Sequence, residues 1–264
     1  MTAAAETADR RRLRVLTYNI LRGGVGREGL LAEVIAAESP DVVILQEATR
    51  PAVVERLARA TGMTASGAVH GRSLGFLSRV PIAEHRWVRP RWSQHAFLDI
   101  APAEYDLRII GVHLSAVHAA WTEARRVREL RSLLAVIAAR APSPHVLVGD
   151  FNTLAPGERL DVARLPRRLR WLVWLSGGRI RWQTVAIVLG AGYVDGFRHL
   201  NPTDPGMTFP SIDPHLRLDY FFVSSGLETQ LIDCAVVTSG PAVPAASDHL
   251  PLRAELEIAR TQTG

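Results

Sequence analysis

Apolar residues in this chain come in short runs, and the period inside each run names its element. Residues 13–20 read as a buried strand, after which Gly23, Gly24 and Gly26 break the chain. A helix over about 27–38 follows, with Leu30, Leu31, Val34 and Ile35 on one face, and Ser39-Pro40 stops it. Residues 41–46 form a second short apolar strand that ends at Glu47, and residues 51–60 a second helix. Four short β segments then run over 74–78, 83–88, 96–100 and 107–112, with turn signals such as Arg79-Val80-Pro81 between them. A long helix over 118–140 carries Val127, Leu130, Leu133, Leu134 and Ile137 on one face. Its charged residues, Arg125, Arg126, Arg128 and Arg131 alternating with Glu123 and Glu129, read as a solvated, salt-bridged face.

Residues 145–149 are a further buried strand, and 217–223, 228–237 and 250–258 are strand-like. Nothing resembles a linker or a short-period repeat. Strands punctuated by helices without strict βαβ alternation argue for a mixed α/β architecture. The expected organisation is a disordered tail over 1–12 and one domain over 13–264, with an Arg/Trp-rich insertion at about 160–190.

Composition changes this picture only at the margins. With 47% hydrophobic and 22% charged residues among 264, the chain has ample material for a core. It contains no lysine, so all 31 basic side chains are arginine. Abundant alanine and proline point to genomic base composition as the cause, although arginine also grips phosphate in a bidentate fork. A net charge of +5 suits acidic partners without requiring nucleic acid. The single cysteine, Cys234, excludes an internal disulfide or a cysteine-based zinc site and reads as a small buried hydrophobe. No signal-peptide pattern and no run of about 20 apolar residues occurs, so the expected compartment is the cytoplasm.

The chemistry lies where apolar runs stop. Leu147-Val148-Gly149-Asp150-Phe151-Asn152 ends a strand with a carboxylate and a carboxamide two residues apart, on one side of an extended backbone. Thr17-Tyr18-Asn19 ends the first strand, and Leu45-Gln46-Glu47 the second. Val112-His113 ends another, Leu218-Asp219-Tyr220 places Asp219 within a strand, and Ser247-Asp248-His249 precedes the last. Each alone is explained by turn-forming preferences. Their joint occurrence in one class of position is not. Glu47, Asp248 and Asn19 offer the oxygen donors that magnesium or manganese prefers. The remaining carboxylates and histidines suit water activation and charge stabilisation.

These motifs resemble those of the endonuclease/exonuclease/phosphatase superfamily, in order and relative spacing, over residues 13 to about 258. The resemblance implies a four-layer α/β/β/α sandwich, with two mixed β-sheets face to face as in DNase I-like enzymes, and hydrolysis of phosphoric esters by in-line water attack. It implies Mg²⁺ (or Mn²⁺) at Glu47, assisted by Asn19 and Asp248. Asp150 resembles the residue that orients the attacking water, Asn152 the side chain that holds a phosphate oxygen, and Asp219 the carboxylate that orients His249. His113 resembles the second histidine of the DNase I-like and sphingomyelinase-like members, where abasic-site endonucleases usually carry tyrosine. The acidic partner that this histidine has in DNase I-like enzymes is missing, since the neighbourhood reads His70-Gly71-Arg72-Ser73.

Substrate choice points to residues 165–182, where Trp171, Trp174 and Trp182 are interleaved with Arg167, Arg168, Arg170, Arg179 and Arg181. The segment reads first as a helical insertion whose tryptophans pack on the sheet. The functional readings are a stacking surface for single-stranded nucleic acid and an amphipathic helix in peripheral contact with anionic lipid. Arg217, Trp171 and Trp174 are the candidate substrate contacts. The expected substrate is a phosphodiester, nucleic acid first, with a phospholipid or inositol phosphate as the alternative and a non-catalytic binding role last.

Overall fold

A computed structural model of the protein describes residues 10–116, 119–140, 142–164, 170–171, 174–175 and 181–260. In chain order its elements begin with β1 (Arg10–Asn19), α1 (Glu28–Glu38), β2 (Val42–Gln46), α2 (Pro51–Thr61), β3 (Ala65–Ala68) and β4 (Gly75–Ser78). Next come β5 (Ile82–Val88), β6 (Phe97–Pro102), β7 (Arg108–His113), α3 (Ala120–Ala138) and β8 (His145–Asp150). The chain continues through α4 (Thr184–Gly190), β9 (Val194–Asp195), α5 (Gly196–Leu200), β10 (Asp219–Val223), β11 (Leu231–Val236), α6 (Val243–Ala246) and β12 (Leu252–Ala259).

The strands make two six-stranded sheets, ordered β11-β12-β1-β2-β4-β3 and β5-β6-β7-β8-β10-β9. Each sheet is mixed: β1 and β2 run parallel, as do β7 and β8, while the other pairings are antiparallel. Period-two alternation assigns the faces. Leu13, Val15, Val42 and Ile44 from the first sheet meet Ile109, Val146, Val148, Phe221 and Val223 from the second in one central core. The outer face of the first sheet, with Leu16, Tyr18, Val43 and Leu45, packs on Leu31 and Ile35 of α1 and Val54 and Leu57 of α2. Leu147, Tyr220 and Phe222 of the second sheet pack outward on Leu130 and Leu133 of α3 and Val185 and Val188 of α4. Layers therefore run α/β/β/α, the DNase I-like sandwich.

Three readings of the sequence need correction. Residues 10–12 are not tail but the start of β1, paired with 257–259 of β12, where Arg11 and Arg12 find Glu104 at 2.8 Å and Glu255 at 3.1 Å. The tail proper, residues 1–9, lies outside the described residues. The charged side chains of α3 are not uniformly solvated: Glu123, Arg126 and Glu129 form a buried stripe, Arg126 being 0% exposed. Finally, Trp171 and Trp174 do not pack on the sheet, since they are 60% and 68% exposed. Trp182 does pack, against a small cluster of Leu154, Leu216 and Leu218, while Arg167, Arg168 and Arg179 lie outside the described residues. Cys234 is buried in the central core.

Candidate active site

Each stripe of the inter-sheet core ends in a polar residue. Leu13-Val15-Thr17 leads to Asn19, Val42-Ile44 to Gln46 with Glu47 one residue on, Ile109-Gly111 to His113, and Val146-Val148 to Asp150. Phe221 leads back to Asp219 on the antiparallel β10. Register sets His113 opposite Asp150, and Asp150 opposite Asp219, in one row across the second sheet. The first sheet supplies Asn19 beside Gln46 from its own parallel pair. Alternation thus delivers a polar lid to one end of a hydrophobic sandwich, at the C-terminal ends of the two parallel pairs.

Asp150 is the centre of this group. Its Oδ2 accepts from the Asn19 amide at 3.0 Å, a hydrogen bond that spans the two sheets, and lies 3.8 Å from Nε2 of both His113 and His249. Its Oδ1 accepts from the backbone N–H of Asn152 at 2.8 Å. His249 in turn has Nδ1 2.8 Å from Asp219 Oδ2. The Asn152 amide donates to the Leu114 carbonyl at 3.1 Å, and its second N–H meets no acceptor among the described residues.

Burial and charge act in opposite ways on the three titrating groups. Burial pushes the Asp150 carboxyl up to about 7, against the pull of His249, with Asp219 adding to the rise. Burial would lower His249, but the Asp219 and Asp150 carboxylates outweigh it and raise the imidazole to about 10. Burial also lowers His113, to about 4, Glu47 being outweighed and His95 and His249 adding to the fall. At neutral pH the site therefore pairs a cationic His249 with a neutral His113.

Around the end of β1 lie the oxygen donors. Glu47 and Asp248 are half-buried; Glu47 Oε2 accepts the Arg22 N–H at 2.5 Å, and Asn19 Oδ1 accepts the Leu21 N–H at 3.0 Å. Ser247, next to Asp248, donates its hydroxyl to the Asn19 carbonyl at 2.6 Å. A second set, Asp150, Asp219 and His249, has ligand atoms within 4.8 Å of one another, and Asp219 Oδ1 is buried without a hydrogen bond. His249 and Asp219 are already joined, which makes that set a proton-bearing dyad beside a carboxylate more than a cation cage. The carboxylates of Glu47 and Asp248 and the amide oxygen of Asn19 are donors of the kind a hard cation prefers.

Arg217 does not belong to the site. Its guanidinium is buried in ion pairs with Asp195 at 2.6 Å and Glu158 at 2.7 Å, and it stacks over Tyr220, so no face is left for substrate. Tyr220 packs on the outer side, as strand alternation requires, and its hydroxyl donates to the Thr153 carbonyl at 3.0 Å. Sequence reasoning missed three residues. Ser73 holds His113 at Nδ1 through its hydroxyl, in a segment, residues 70–73, that has no carboxylate. His95 stacks on His113 with ring centroids 6.2 Å apart, and Glu129 anchors His95 at 3.1 Å. A hydroxyl in 70–73 was a visible signal; nothing in the local sequence marks the other two.

The profile of the Endonuclease/Exonuclease/phosphatase family matches residues 16–249. The chain belongs to this family. As a family member it is a phosphoesterase, a hydrolase acting on phosphoric ester bonds. A sequence search among curated proteins finds no match. Among solved structures, the family fold recurs in a 3′ phosphatase, NExo, from Neisseria bound to product DNA hairpin, with 18% identity, a TM-score of 0.68, and 92% of this chain and 99% of that one covered. An AP endonuclease from Archaeoglobus fulgidus is 18% identical with a TM-score of 0.70, covering 92% and 98%. A humanized D. rerio TDP2 is 19% identical with a TM-score of 0.64, over the same shares. Among the described residues no helix of this family member is long and apolar enough to cross a membrane.

Proposed function

We propose that this family member is a divalent-metal-dependent phosphodiesterase, acting as a nuclease on polyanionic substrates. The observation that carries the reading is the position of Asp150, hydrogen-bonded to Asn19 and 3.8 Å from both His113 and His249. Burial holds the Asp150 carboxyl near neutrality, the range in which a general base serves best. Asp150 orients and deprotonates the attacking water. Asn152 offers its remaining N–H to a phosphate oxygen. His249, kept cationic and oriented by Asp219, faces the negative charge that grows on the phosphorus centre. His113, neutral and held at Nδ1 by Ser73, presents Nε2 on the other side.

Glu47, with Asn19 and Asp248, would hold Mg²⁺ or Mn²⁺, which when bound supplies a Lewis acid for the phosphoryl oxygens. The chain's basic character favours polyanions. Among its fold neighbours are a 3′ phosphatase bound to product DNA and an AP endonuclease. A second reading, a phospholipid or inositol-phosphate esterase with peripheral membrane contact, draws on the exposure of Trp171 and Trp174.

The test is hydrolysis of bis-p-nitrophenyl phosphate, single- and double-stranded DNA, RNA and sphingomyelin, with Mg²⁺ or Mn²⁺ against EDTA. Turnover is expected on the phosphodiester and nucleic-acid substrates, lost in EDTA, and reduced at least about a hundredfold in a folded Asp150→Ala protein. Near-native turnover by that variant sinks the mechanism. Activity confined to sphingomyelin moves the reading to lipid.

A further inference from the structure

Residues 89–96 join β5 to β6 and reach the active site through His95. The His95 ring lies nearly parallel to that of His113, with planes 25° apart and centroids 6.2 Å apart. Its Nδ1 is 3.1 Å from Glu129 Oε1, and the same oxygen accepts the Gln94 N–H at 3.0 Å. Glu129 is fully buried, and its other carboxylate oxygen has no hydrogen bond. Taking a carboxylate into the interior is costly unless it is paired, and the side chain that pairs with Glu129 is His95. Burial would raise the Glu129 carboxyl, but His95 and the backbone N–H donors hold it below the usual range.

This construction repeats Asp219–His249 on the opposite flank of Asp150, with one difference. The His249 side chain is buried, whereas that of His95 is 32% exposed. An imidazole anchored at Nδ1 and open to solvent presents Nε2 to an incoming ligand.

The rest of the loop has the character of a ledge. Trp92 stands 72% exposed with the Arg91 guanidinium 5.1 Å from its ring centroid. Arg89 is fixed by donating to the Ser93 carbonyl at 3.1 Å. Arg125, from the first turns of α3, donates to the Gln94 side chain at 3.0 Å and brings a further cation alongside. Trp121, also in the first turn of α3, is exposed. Cations interleaved with exposed rings complement a phosphodiester strand, whose charge the arginines meet and whose bases can stack.

We propose that the β5–β6 loop and the first turns of α3 form a ledge that binds single-stranded nucleic acid on the His113 side of the scissile phosphate, with His95 gripping the adjacent phosphate and Trp92 carrying a base. The inference rests on the phosphodiesterase reading and deepens it by naming the strand and its path. It also shifts substrate choice away from residues 165–182 toward a loop tied directly to the catalytic group.

Fluorescence anisotropy with labelled oligothymidylates tests it, with EDTA present so that no cleavage intervenes. A thymidine dinucleotide fills only the scissile position, while a hexanucleotide extends along the ledge. The wild-type protein is expected to bind the hexanucleotide more tightly. His95→Ala and Trp92→Ala should each weaken the hexanucleotide about tenfold, and the dinucleotide much less. Glu129→Gln, which keeps side-chain shape, should follow His95→Ala, with thermal melts establishing that each variant is folded. Equal binding of the two oligonucleotides by the wild type overturns the ledge, as does an equal loss for both in the variants. Trp92-dependent binding of phosphatidylserine vesicles without oligonucleotide binding overturns it as well. Hydrolysis of bis-p-nitrophenyl phosphate without oligonucleotide binding sinks the ledge alone. Ledge binding without any hydrolysis sinks the phosphodiesterase reading alone.

Discussion

Backbone conformation at the site is as specific as its side chains. Glu47 and Asn152 both have positive φ, 56° and 51°, in the left-handed region that residues with a Cβ seldom enter. Each is held there by named bonds. The Glu47 N–H donates to Ser73 Oγ at 3.2 Å, and the Asn152 N–H to Asp150 Oδ1 at 2.8 Å, so both turns aim a functional side chain while using another site residue as a strut. Gly149, immediately before Asp150, has φ 140°, and a Cβ there would meet the Val112 carbonyl oxygen at 1.9 Å. No rotamer relieves a clash with backbone. Gly149→Ala is therefore expected to push β8 from β7, lowering stability by roughly 3 kcal/mol in urea unfolding and disturbing the His113–Asp150 spacing. Wild-type stability in that variant would show that the strands have slack this packing denies them.

At the scale of elements, α3 explains most of what the sequence could not reveal. Glu123 Oε1 accepts the Gln183 N–H, the Thr184 N–H and the Thr184 hydroxyl, each at 2.8 Å, and so caps the start of α4 from 60 residues away in sequence. Its Oε2 binds Arg126 Nε and Thr153 Oγ1, both at 3.0 Å, tying α3 to the turn that carries Asn152. Burial works to raise the Glu123 carboxyl, but Arg126 and those N–H donors bring it below its ordinary 4.5. A folded-state pKa below the unfolded one adds stability that is present above the ordinary carboxylate range and lost as pH falls through the folded value. Glu123→Gln should thus cost about 3 kcal/mol at pH 7, and the gap to wild type should close as thermal melts are taken below about pH 4. A gap constant down to pH 3 would mean that the charge is irrelevant to the cap.

A spacing of three residues, Glu123-Arg126-Glu129, looks the same on a solvated face as on a buried one. Only the partners decide, and those come from distant segments. Strand ends were legible for the opposite reason: an apolar period-two stripe that stops at a polar residue states both its buried face and its exposed end. Asn19, His113, Asp150 and Asp219 could be found that way. His95 and Ser73 sit in connections without a period, and Arg217, two residues before Asp219 and outside the strand, turns to the side where Glu158 and Asp195 claim it.

Across the whole molecule, the site depends on two sheets that meet face to face and share no strand. Asn19, Glu47 and Asp248 come with the first sheet; His113, Asp150 and Asp219 with the second. Across this gap the Asn19 amide donates to Asp150 at 3.0 Å, and both sheets bring carboxylates to this end. A divalent cation held by Glu47, Asn19 and Asp248 would add its binding energy to the docked state. Binding to the folded state alone raises stability by about 2.7 kcal/mol at a hundredfold excess over Kd. For a domain of this size that corresponds to a rise of roughly 5–10 °C in melting temperature. Mn²⁺ or Mg²⁺ added to EDTA-treated protein should produce this rise by differential scanning fluorimetry, and Glu47→Gln should remove most of it. An equal rise in Glu47→Gln would move the cation to the Asp150, Asp219 and His249 group, and no rise in wild type would take metal out of the reading. Because this readout needs no substrate, it separates the question of the cation from the question of what is cleaved.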